Sequence, residues 1–368
     1  MGQSSNSLLL ITRRSNQKIV WTLSQHCLVF GVNVKPELAA EQIEITVDPS
    51  ASIKPLEQQL RDVLNEVVTV LDRHRACLLP IPLYDRVPFT ITPHPRYQLL
   101  LDILGEPFRE HAVAVASDQV NIGAANEQQA FQIFNAMTYF LPLLMGIAAA
   151  SPFYRGEVNG VATNRMNAYD AAIMKFSHLT GLPPRLHSLE DYAAELQQLP
   201  VFQHPNMFYK YSRPMPQRGV AAEIRCLDKQ PTLPDTLALI ALCKALVTYE
   251  LSYGVINQDT LFSSERAVPV SDRGRMLFTE ASLESSCVAA RQYGVIDQKS
   301  STILLDFLAE RALDSVERTY FRPLLDRLHS RGHPQHMVDL KKTYGLEGAY
   351  RRIATTFVEE LHSFRSSY

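Results

Sequence analysis

The feature that most constrains this chain is a short strand followed closely by a long apolar helix that ends abruptly. Residues 117–123 alternate in the way a strand requires, and the apolar stretch from Gln129 to Ala150 is long enough to predict a helix. The dipeptide Ser151-Pro152 then stops the helix, because proline cannot continue its hydrogen bonding. The chain is therefore expected to continue as a polar loop that leads to Arg165.

The alternation divides the side chains of this strand between two faces. One face carries a carboxylate and two apolar groups, Asp118, Val120 and Ile122, and the other carries two amides, Gln119 and Asn121. Two amides on one face of a strand can orient or coordinate a ligand. The amide face is therefore a candidate for a binding site.

Composition limits the class of protein. The 368 residues are 46% hydrophobic and 20% charged, which is enough to bury a substantial core, and we expect one α+β domain over residues 1–368. The net charge of -2 argues against nucleic acid as a partner, and each long apolar run is interrupted by polar residues or proline, which argues against a membrane span. The five cysteines are scattered without a Cys-x-x-Cys pair, which indicates reduced thiols in a cytoplasmic protein.

The first 50 residues are expected to be rich in strands. Ser7–Thr12 and Lys18–Leu23 predict an N-terminal hairpin, and Cys27–Lys35 predicts a third strand. Polar and apolar residues then alternate over residues 42–47. A half-buried strand at this position would present Glu44 on its polar face.

A later strand, Val220–Asp228, would carry Glu223 and Arg225 on one side. An acid and a base two residues apart form either a self-paired couple or part of a site, and the strand alone does not decide between them. Apolar residues at helical spacing predict the remaining elements, which are helices at residues 56–77, 97–104, 236–253, 277–293, 301–329 and 346–364.

Five groups of residues, taken together, resemble one known family. They are Glu37-Leu38 with Glu41–Thr46, Pro95-Arg96-Tyr97, Ala149–Gly156 with Thr163–Arg165, Arg213–Pro216 with Glu223–Asp228, and Ala289–Gly294. In this order and at similar spacing they resemble the carboxylate-amine ligases of glutamate-cysteine ligase family 2. The resemblance extends over nearly the whole chain.

The resemblance implies a glutamine-synthetase-like α+β fold, in which a curved, mostly antiparallel sheet carries helices on its outer face and a funnel-shaped site on its concave face. Members of the family use ATP and magnesium to activate a carboxylate as an acyl phosphate, which an amine then attacks. Carboxylates suit magnesium because it prefers oxygen ligands, and arginines neutralise the transferred phosphoryl group. The resemblance thus implies a small amino-acid-like substrate and the cofactors ATP and Mg²⁺.

Site residues follow from the resemblance position by position. Glu44 and Glu223 match metal-binding glutamates of the family. Arg165, Arg213 and Arg225 match its polar funnel wall, which implies a catalytic role for them.

Cofactor binding is carried over to Arg291, Gln119 and Asn121, and at the last two positions the chain departs from the family. The two amides replace a His-x-His strand, and an amide oxygen can bind magnesium but brings no charge. The family's opening Gly-x-Glu-x-Glu strand matches residues 10–14 or residues 31–35, and both acids are missing in either register. The first register is favoured because the second leaves too few residues before the strand that carries Glu44.

Two functions from different classes remain open. In one, the chain is a divergent ATP-dependent ligase that holds fewer ions, with Glu44, Glu223, Asp118 and Glu157 as the available acids. In the other, it is a catalytically degenerate relative that serves as a binding or regulatory subunit, beside an active paralogue. A homodimer is implied by the resemblance. Arg14 or Lys35 would discriminate between the two functions, because a cation that points into the site repels magnesium.

Two other features have simpler interpretations. Three histidines near the C-terminus have spacing that could suit zinc, but a glycine and a proline among them predict a solvated turn; they are His329, His333 and His336. Cys226 adjoins Arg225, yet a cysteine on a strand of buried residues is usually part of the core.

Overall fold

An antiparallel sheet is the centre of the fold. The computed structural model describes residues 3–11, 33–85, 89–198, 208–253, 280–295, 298–329 and 332–363. The strands in these ranges are β1 (Gln3–Ile11), β2 (Asn33–Pro36), β3 (Gln42–Thr46), β4 (Leu78–Leu79), β5 (Asp118–Gly123), β6 (Phe153–Tyr154), β7 (Glu157–Val158), β8 (Ser212–Met215) and β9 (Val220–Ile224). The main sheet has seven strands in the order β2-β3-β1-β5-β9-β8, with β4 paired to β1, and β6 and β7 form a separate pair.

Helices supply most of the remaining structure. They are α1 (Ile53–Arg73), α2 (Pro95–Leu104), α3 (Glu106–Ala112), α4 (Glu127–Ala148), α5 (Asn164–Ala172), α6 (Leu189–Gln197), α7 (Leu233–Tyr253), α8 (Glu280–Tyr293), α9 (Gln298–Ala312), α10 (Arg322–His329) and α11 (Gly332–Ser363). Together with the sheet they confirm the α+β class.

Strand β1 lies between β3 and β5 and is antiparallel to both. It contains most of Ser7–Thr12, the first strand of the expected N-terminal hairpin. The other half, Lys18–Leu23, lies outside the described residues. The same holds for most of Cys27–Lys35, whose last residues belong to β2.

The sheet has an apolar face and a polar face, as the alternation predicts. The apolar face packs into the main core together with α1, α4 and α7, and its buried side chains include Ile43, Ile45, Val120, Ile122 and Ile224. The intervening residues line a cavity on the other face, and they include Gln42, Glu44, Thr46, Gln119, Asn121 and Glu223.

Helix α4 is the central helix of the core and matches the helix expected at Gln129–Ala150 to within two residues. Asn126 caps its first turn, since the side-chain oxygen accepts the N–H of Gln129 at 2.9 Å. Within the described part of the chain, α4 alone is long and apolar enough to cross a membrane, but 83% of its most apolar window is buried inside the protein. This burial identifies it as a core helix.

The C-terminal helices differ from the sequence prediction. Residues 301–329 do not form one helix but α9, a 3-10 turn over Glu317–Phe321, and α10. The break occurs at Asp314, whose carboxylate accepts two N–H groups of the following turn and so competes with continued helix. The element α11 consists of two helical segments divided at Gly345, where φ is 70°, and the second segment begins at the expected Leu346.

The histidine segment is also more ordered than a solvated turn. His333 lies in the first turn of α11, and its Nε2 is 3.0 Å from a carboxylate oxygen of Asp235. Arg327 pairs with the same carboxylate. Burial, together with the charge of Arg327, lowers the pKa of His333. Among the described residues, no group of three or more His, Cys, Asp or Glu side chains is placed to hold a metal ion.

A buried ion pair holds the start of β5 against the segment before α7. The carboxylate of Asp118 accepts Lys229 Nζ at 2.8 Å, the N–H of Gln230 at 3.1 Å and the hydroxyl of Thr236 at 2.7 Å. Asp118 and Lys229 are almost fully buried. The expectation that Asp118 helps to hold ions is therefore wrong, because its carboxylate points into the apolar side of the sheet and is already paired.

Helices α4 and α8 approach each other closely at two glycines. A Cβ added to Gly146 of α4 would lie 2.6 Å from the carbonyl oxygen of Gly294, which follows α8. Gly294 has a φ of 77°, and its N–H donates to Ala290 O at 2.9 Å. This contact holds the end of α8 in place.

Candidate functional site

The polar face of the sheet opens into a cavity of about 620 Å³. Its floor is formed by alternate residues of neighbouring strands, because only every second residue of a strand points to a given face. Glu44 comes from β3, Gln119 and Asn121 come from β5, and Glu223 comes from β9, with Arg225 just beyond it. These expected site residues come together in one place.

Glu223 lies between two guanidinium groups. One of its carboxylate oxygens is 2.7 Å from Nη1 of Arg225, and Nε of Arg213 contacts the same oxygen. Arg213 is also the residue opposite Glu223 in the pairing of β8 with β9. Burial would raise the pKa of Glu223, but the two arginines outweigh it and the pKa is lowered. The couple of Glu223 and Arg225 is thus self-paired and also part of the cavity.

Arg165 is the most deeply buried cation in the cavity wall, with 2% of its surface exposed. Its Nη2 donates to the carbonyl oxygen of Arg225 at 2.9 Å, and Nη1 is 3.7 Å from Asp228, which is too long for a hydrogen bond. Its Nε has no hydrogen-bond partner in the part of the chain that the structure describes. Burial lowers the pKa of Arg165, although Asp228 opposes this effect.

Asp228 organises the loop that carries Arg165, and the sequence did not single it out. Its carboxylate accepts the hydroxyls of Ser151 at 2.7 Å and of Thr163 at 2.9 Å, and the N–H of Ala150 at 2.9 Å. Ser151 Oγ in turn accepts the N–H of Arg165 at 3.0 Å. In the sequence, Asp228 appears only as the last residue of a predicted strand and of a segment that resembles the family.

Glu37 is a second residue that sequence reasoning did not assign to the site. It lies in the bend between β2 and β3, half-buried in the cavity wall, and its carboxylate interacts with that of Glu44. Burial and the charge of Glu44 raise the pKa of Glu37 from 4.5 to about 7. Burial also raises the pKa of Glu44; Lys35 opposes this and Glu223 adds to it. The hydrogen bond between them acts to raise the pKa of Glu37 and to lower the pKa of Glu44, so Glu37 is the donor of this bond.

The amides of β5 face the same cavity. Asn121 is buried, and it lies opposite Glu223 in the pairing of β5 with β9. The side-chain oxygen of Asn121 has no hydrogen-bond partner among the described residues. Gln119, two residues earlier on the same face, is half-buried. Buried amides normally have a hydrogen-bond partner, and at Asn121 that partner is left to a ligand or a water molecule in the cavity.

Two residues assigned from the sequence lie elsewhere. Arg291 is not among the described residues that line the cavity; its Nη1 is 2.5 Å from a carboxylate oxygen of Asp170, which also accepts the hydroxyl of Tyr211 at 2.7 Å. Glu157 is exposed and pairs with Lys341. Arg291 therefore joins α8 to α5 through this ion pair, and its role in cofactor binding stays a prediction. Glu157 forms a surface ion pair.

Of the two cations expected to distinguish the two functions, the structure describes Lys35 but not Arg14. Lys35 lines the cavity and is paired in register with Glu44 of β3. Arg14 lies outside the described residues, as does most of the stretch from residue 10 to residue 14. The register of β1 places Asn6 opposite Gln119, so earlier positions of this strand adjoin the amides.

The cavity carries an excess of positive charge. The ionisable side chains that line it within the described ranges are six cations, Lys35, Arg96, Arg165, Arg213, Arg218 and Arg225, and three carboxylates, Glu37, Glu44 and Glu223. Lys35, Arg96 and Arg218 are exposed at the mouth, whereas the other three arginines are buried. Such a wall attracts anions and stabilises them once they are inside.

Comparison with known proteins is consistent with this geometry. Residues 10–268 match the model for "Glutamate-cysteine ligase family 2(GCS2)". A protein from Roseiflexus sp. (strain RS-1), named "Putative glutamate--cysteine ligase 2", is 23% identical over 354 residues, which are 93% of this chain and 86% of the relative. A protein of the same name from Ralstonia pickettii is 28% identical over 220 residues, 58% of this chain and 56% of the relative.

Solved structures show the same fold. A bifunctional glutathione synthetase from Pasteurella multocida superposes with a TM-score of 0.67 at 12% identity, over 99% of this chain and 53% of that protein. A glutamate–cysteine ligase from Francisella tularensis, in complex with AMP, superposes with a TM-score of 0.65 at 11% identity, over 98% of this chain and 89% of that protein. The alignments thus leave part of each of these relatives uncovered, up to nearly half of the Pasteurella enzyme.

Proposed function

This chain belongs to glutamate-cysteine ligase family 2, and on that premise we propose that it is an ATP-dependent carboxylate-amine ligase whose acidic substrate binds in the cationic cavity. ATP, when bound, supplies the phosphoryl group that converts the substrate carboxylate to an acyl phosphate. An amine then attacks the acyl carbon, and phosphate leaves. The observation that supports the proposal most directly is the set of three buried arginines on the polar face of the sheet, Arg165, Arg213 and Arg225.

The residues of this chain have separate roles in the proposal. Arg213 and Arg225 bind the charged end of the substrate, and Glu223 holds their guanidinium groups in position. Arg165 contacts the developing negative charge, and Asp228 positions it through the loop that carries it. Glu44 and Glu37 adjoin the same space and are the groups able to accept a proton from an attacking amine.

Magnesium fits the described residues poorly. Glu223 would have to bind an ion beside two guanidinium groups, and Lys35 adds a third cation next to Glu44, the other expected metal ligand. Divalent ions in such sites are normally balanced by several anionic oxygens. We therefore propose that the substitutions at Gln119 and Asn121 belong to a site with fewer metal ions than the family pattern, and we assign no step to a metal.

The finer features of the family remain part of the proposal. We propose that the sheet is curved, that the cavity is the funnel of a glutamine-synthetase-like domain over residues 1–368, and that the protein acts in the cytoplasm on an amino-acid-like substrate. A homodimer, or a complex with an active paralogue, is the proposed assembly.

A second function is favoured by one observation. Glu223, an expected metal ligand, is neutralised by two arginines, and this arrangement suits anion binding without catalysis. In that case the chain is a catalytically degenerate member of the family that acts as a binding or regulatory subunit.

Turnover distinguishes the two functions. The purified full-length chain is incubated with ATP, Mg²⁺, L-glutamate and L-cysteine, while phosphate release and the ligated product are followed by a coupled assay and mass spectrometry. The ligase proposal expects phosphate release that requires both amino acids, and a large loss of that release on Arg165→Lys. Glu347→Gln, a change at an exposed position on α11, is the matched control. If the folded protein binds anions but forms no product with any pair of an acidic amino acid and an amine, the ligase function is refuted. The chain would then be the catalytically degenerate binding or regulatory subunit.

A further inference from the structure

The interior of the cavity contains more positive than negative charge. Three arginines are at least nine-tenths buried there, and the carboxylates of comparable burial that contact them are Glu223 and Asp228. Buried charges in folded proteins are normally paired, because an unpaired ion loses its favourable hydration energy and gains no interaction that compensates for it. One guanidinium charge therefore lacks a fully buried counterion among the described residues.

Arg165 is the arginine whose hydrogen bonds are least complete. Asp228 is too far from it for a hydrogen bond, at 3.7 Å, and Nη1 instead faces the sulfur of Met166 at 3.1 Å. Its Nε is buried without a partner in the described ranges, although the side chain lines the cavity. A buried donor left unsatisfied is costly, so an acceptor supplied by a ligand would be bound strongly here.

The residues around this cavity do not suit a divalent metal ion. The most buried carboxylate that lines the cavity, Glu223, already has two guanidinium groups on one of its oxygens, and a divalent cation placed there would be repelled by both. No cluster of three or more metal-ligating side chains exists in the part of the chain that the structure describes. The site is thus built for an oxyanion and disagrees with a metal-bridged one.

We propose that an oxyanion group of the substrate binds directly to the guanidinium groups of Arg165, Arg213 and Arg225, with no divalent metal ion between ligand and protein. The inference rests on the proposed function for the location of the site and adds the mode of binding. The oxyanion is a phosphate of the nucleotide or a carboxylate of the amino acid, which present the same chemistry to a guanidinium group. Lys35, Arg96 and Arg218 at the mouth attract either of them.

Calorimetry on the unmodified full chain tests this mode of binding. Sodium tripolyphosphate and L-glutamate are each titrated in buffer containing EDTA, and the titrations are repeated with excess Mg²⁺. We expect at least one of the two anions to bind in EDTA, no more weakly than in Mg²⁺, and to bind less tightly as NaCl is raised. The anion that binds identifies the source. Binding of both anions only after Mg²⁺ is added, or of neither in any condition, would overturn the inference.

Two variants locate the site. Arg213→Gln is expected to weaken binding at least about 30-fold, since it removes a buried positive charge of the protein that contacts the ligand. Arg218→Gln, at the exposed mouth, is expected to weaken it about two- to tenfold and serves if the first variant does not fold. Arg322→Gln is the control, because this exposed arginine pairs only loosely with Asp326 of its own helix and its loss should leave affinity unchanged. Equal affinity in the folded Arg213 or Arg218 variant would place the anion elsewhere.

The inference about anion binding and the proposed ligase function can each fail while the other holds. Metal-independent binding without turnover supports the inference and removes the ligase. Turnover with binding that strictly requires Mg²⁺ supports the ligase and removes the inference.

Discussion

Replacing Glu37 by glutamine should stabilise the protein at alkaline pH and leave it nearly unchanged at acid pH. The native structure raises the pKa of this carboxyl from 4.5 to about 7, through burial and the nearby charge of Glu44. Below pH 4.5 the group is protonated in both the folded and the unfolded chain, so it contributes nothing to the pH dependence. Between pH 4.5 and about 7 the unfolded chain ionises first, and the native state loses stability as the pH rises.

The magnitude follows from the same values. A pKa change of this size corresponds to roughly 3 kcal/mol at full effect. Glu37 is only half-buried, so solvent screens part of the interaction, and about 1–2 kcal/mol is expected. Glutamine keeps the shape of the protonated acid and can donate to Glu44, which removes the cost of ionisation without opening a cavity.

Urea denaturation of the two proteins at pH 4.5, 6 and 8 measures the effect. The variant should gain stability over the wild type steadily with pH, and Glu347→Gln at an exposed position should change the free energy of unfolding by less than about 0.5 kcal/mol throughout. A gain that is the same at pH 4.5 and pH 8, or a loss at pH 8, would refute the argument.

Two further changes test the packing that supports the site. Gly146→Ala should destabilise the protein by about 1–2 kcal/mol in thermal or urea unfolding, because the clash with Gly294 outweighs the helical preference of alanine; stability equal to the wild type would mean that α4 and α8 can separate freely. Asp118→Asn should cost roughly 3 kcal/mol or more by the same measurement, because Lys229 is left buried without its counterion, and the double variant Asp118→Leu/Lys229→Met should recover part of the loss. A double variant no more stable than the single one would contradict this account.

Alternation predicted the parts of the site that lie on strands. The position of β5 and the polar faces of β3 and β9 follow from a period of two, so the amino-acid sequence alone is enough to assign Glu44, Gln119 and Glu223 to polar strand faces. The same reasoning placed Asp118 on the opposite face, but it could not show the lysine that pairs with it from a distant segment.

The residues that sequence reasoning missed or misplaced lie where periodicity gives no information. Glu37 is in a bend, and Asp228 acts through hydrogen bonds to a loop far away in sequence. Arg291 occupies a position that the family resemblance identifies, yet a resemblance fixes the position along a helix and not the partner of the side chain, which here is Asp170. The C-terminal helices were joined in error because Asp314 ends a helix through side-chain hydrogen bonding that apolar spacing does not reveal.

The order of the strands has a consequence for how the protein folds. β1 is the most N-terminal of the described strands, yet it pairs with β5, so that Ser7 meets Asp118 more than 100 residues later, and β5 in turn pairs with β9. Closing loops of this length costs entropy before any contact repays it, and folding rates fall as such non-local pairings accumulate. Slow refolding is therefore expected, and the cavity cannot form before β9 joins the sheet, since β9 brings Glu223 beside Asn121 and pairs with β8, which carries Arg213. Regain of anion binding after dilution from urea would then report that β8 and β9 have joined the sheet.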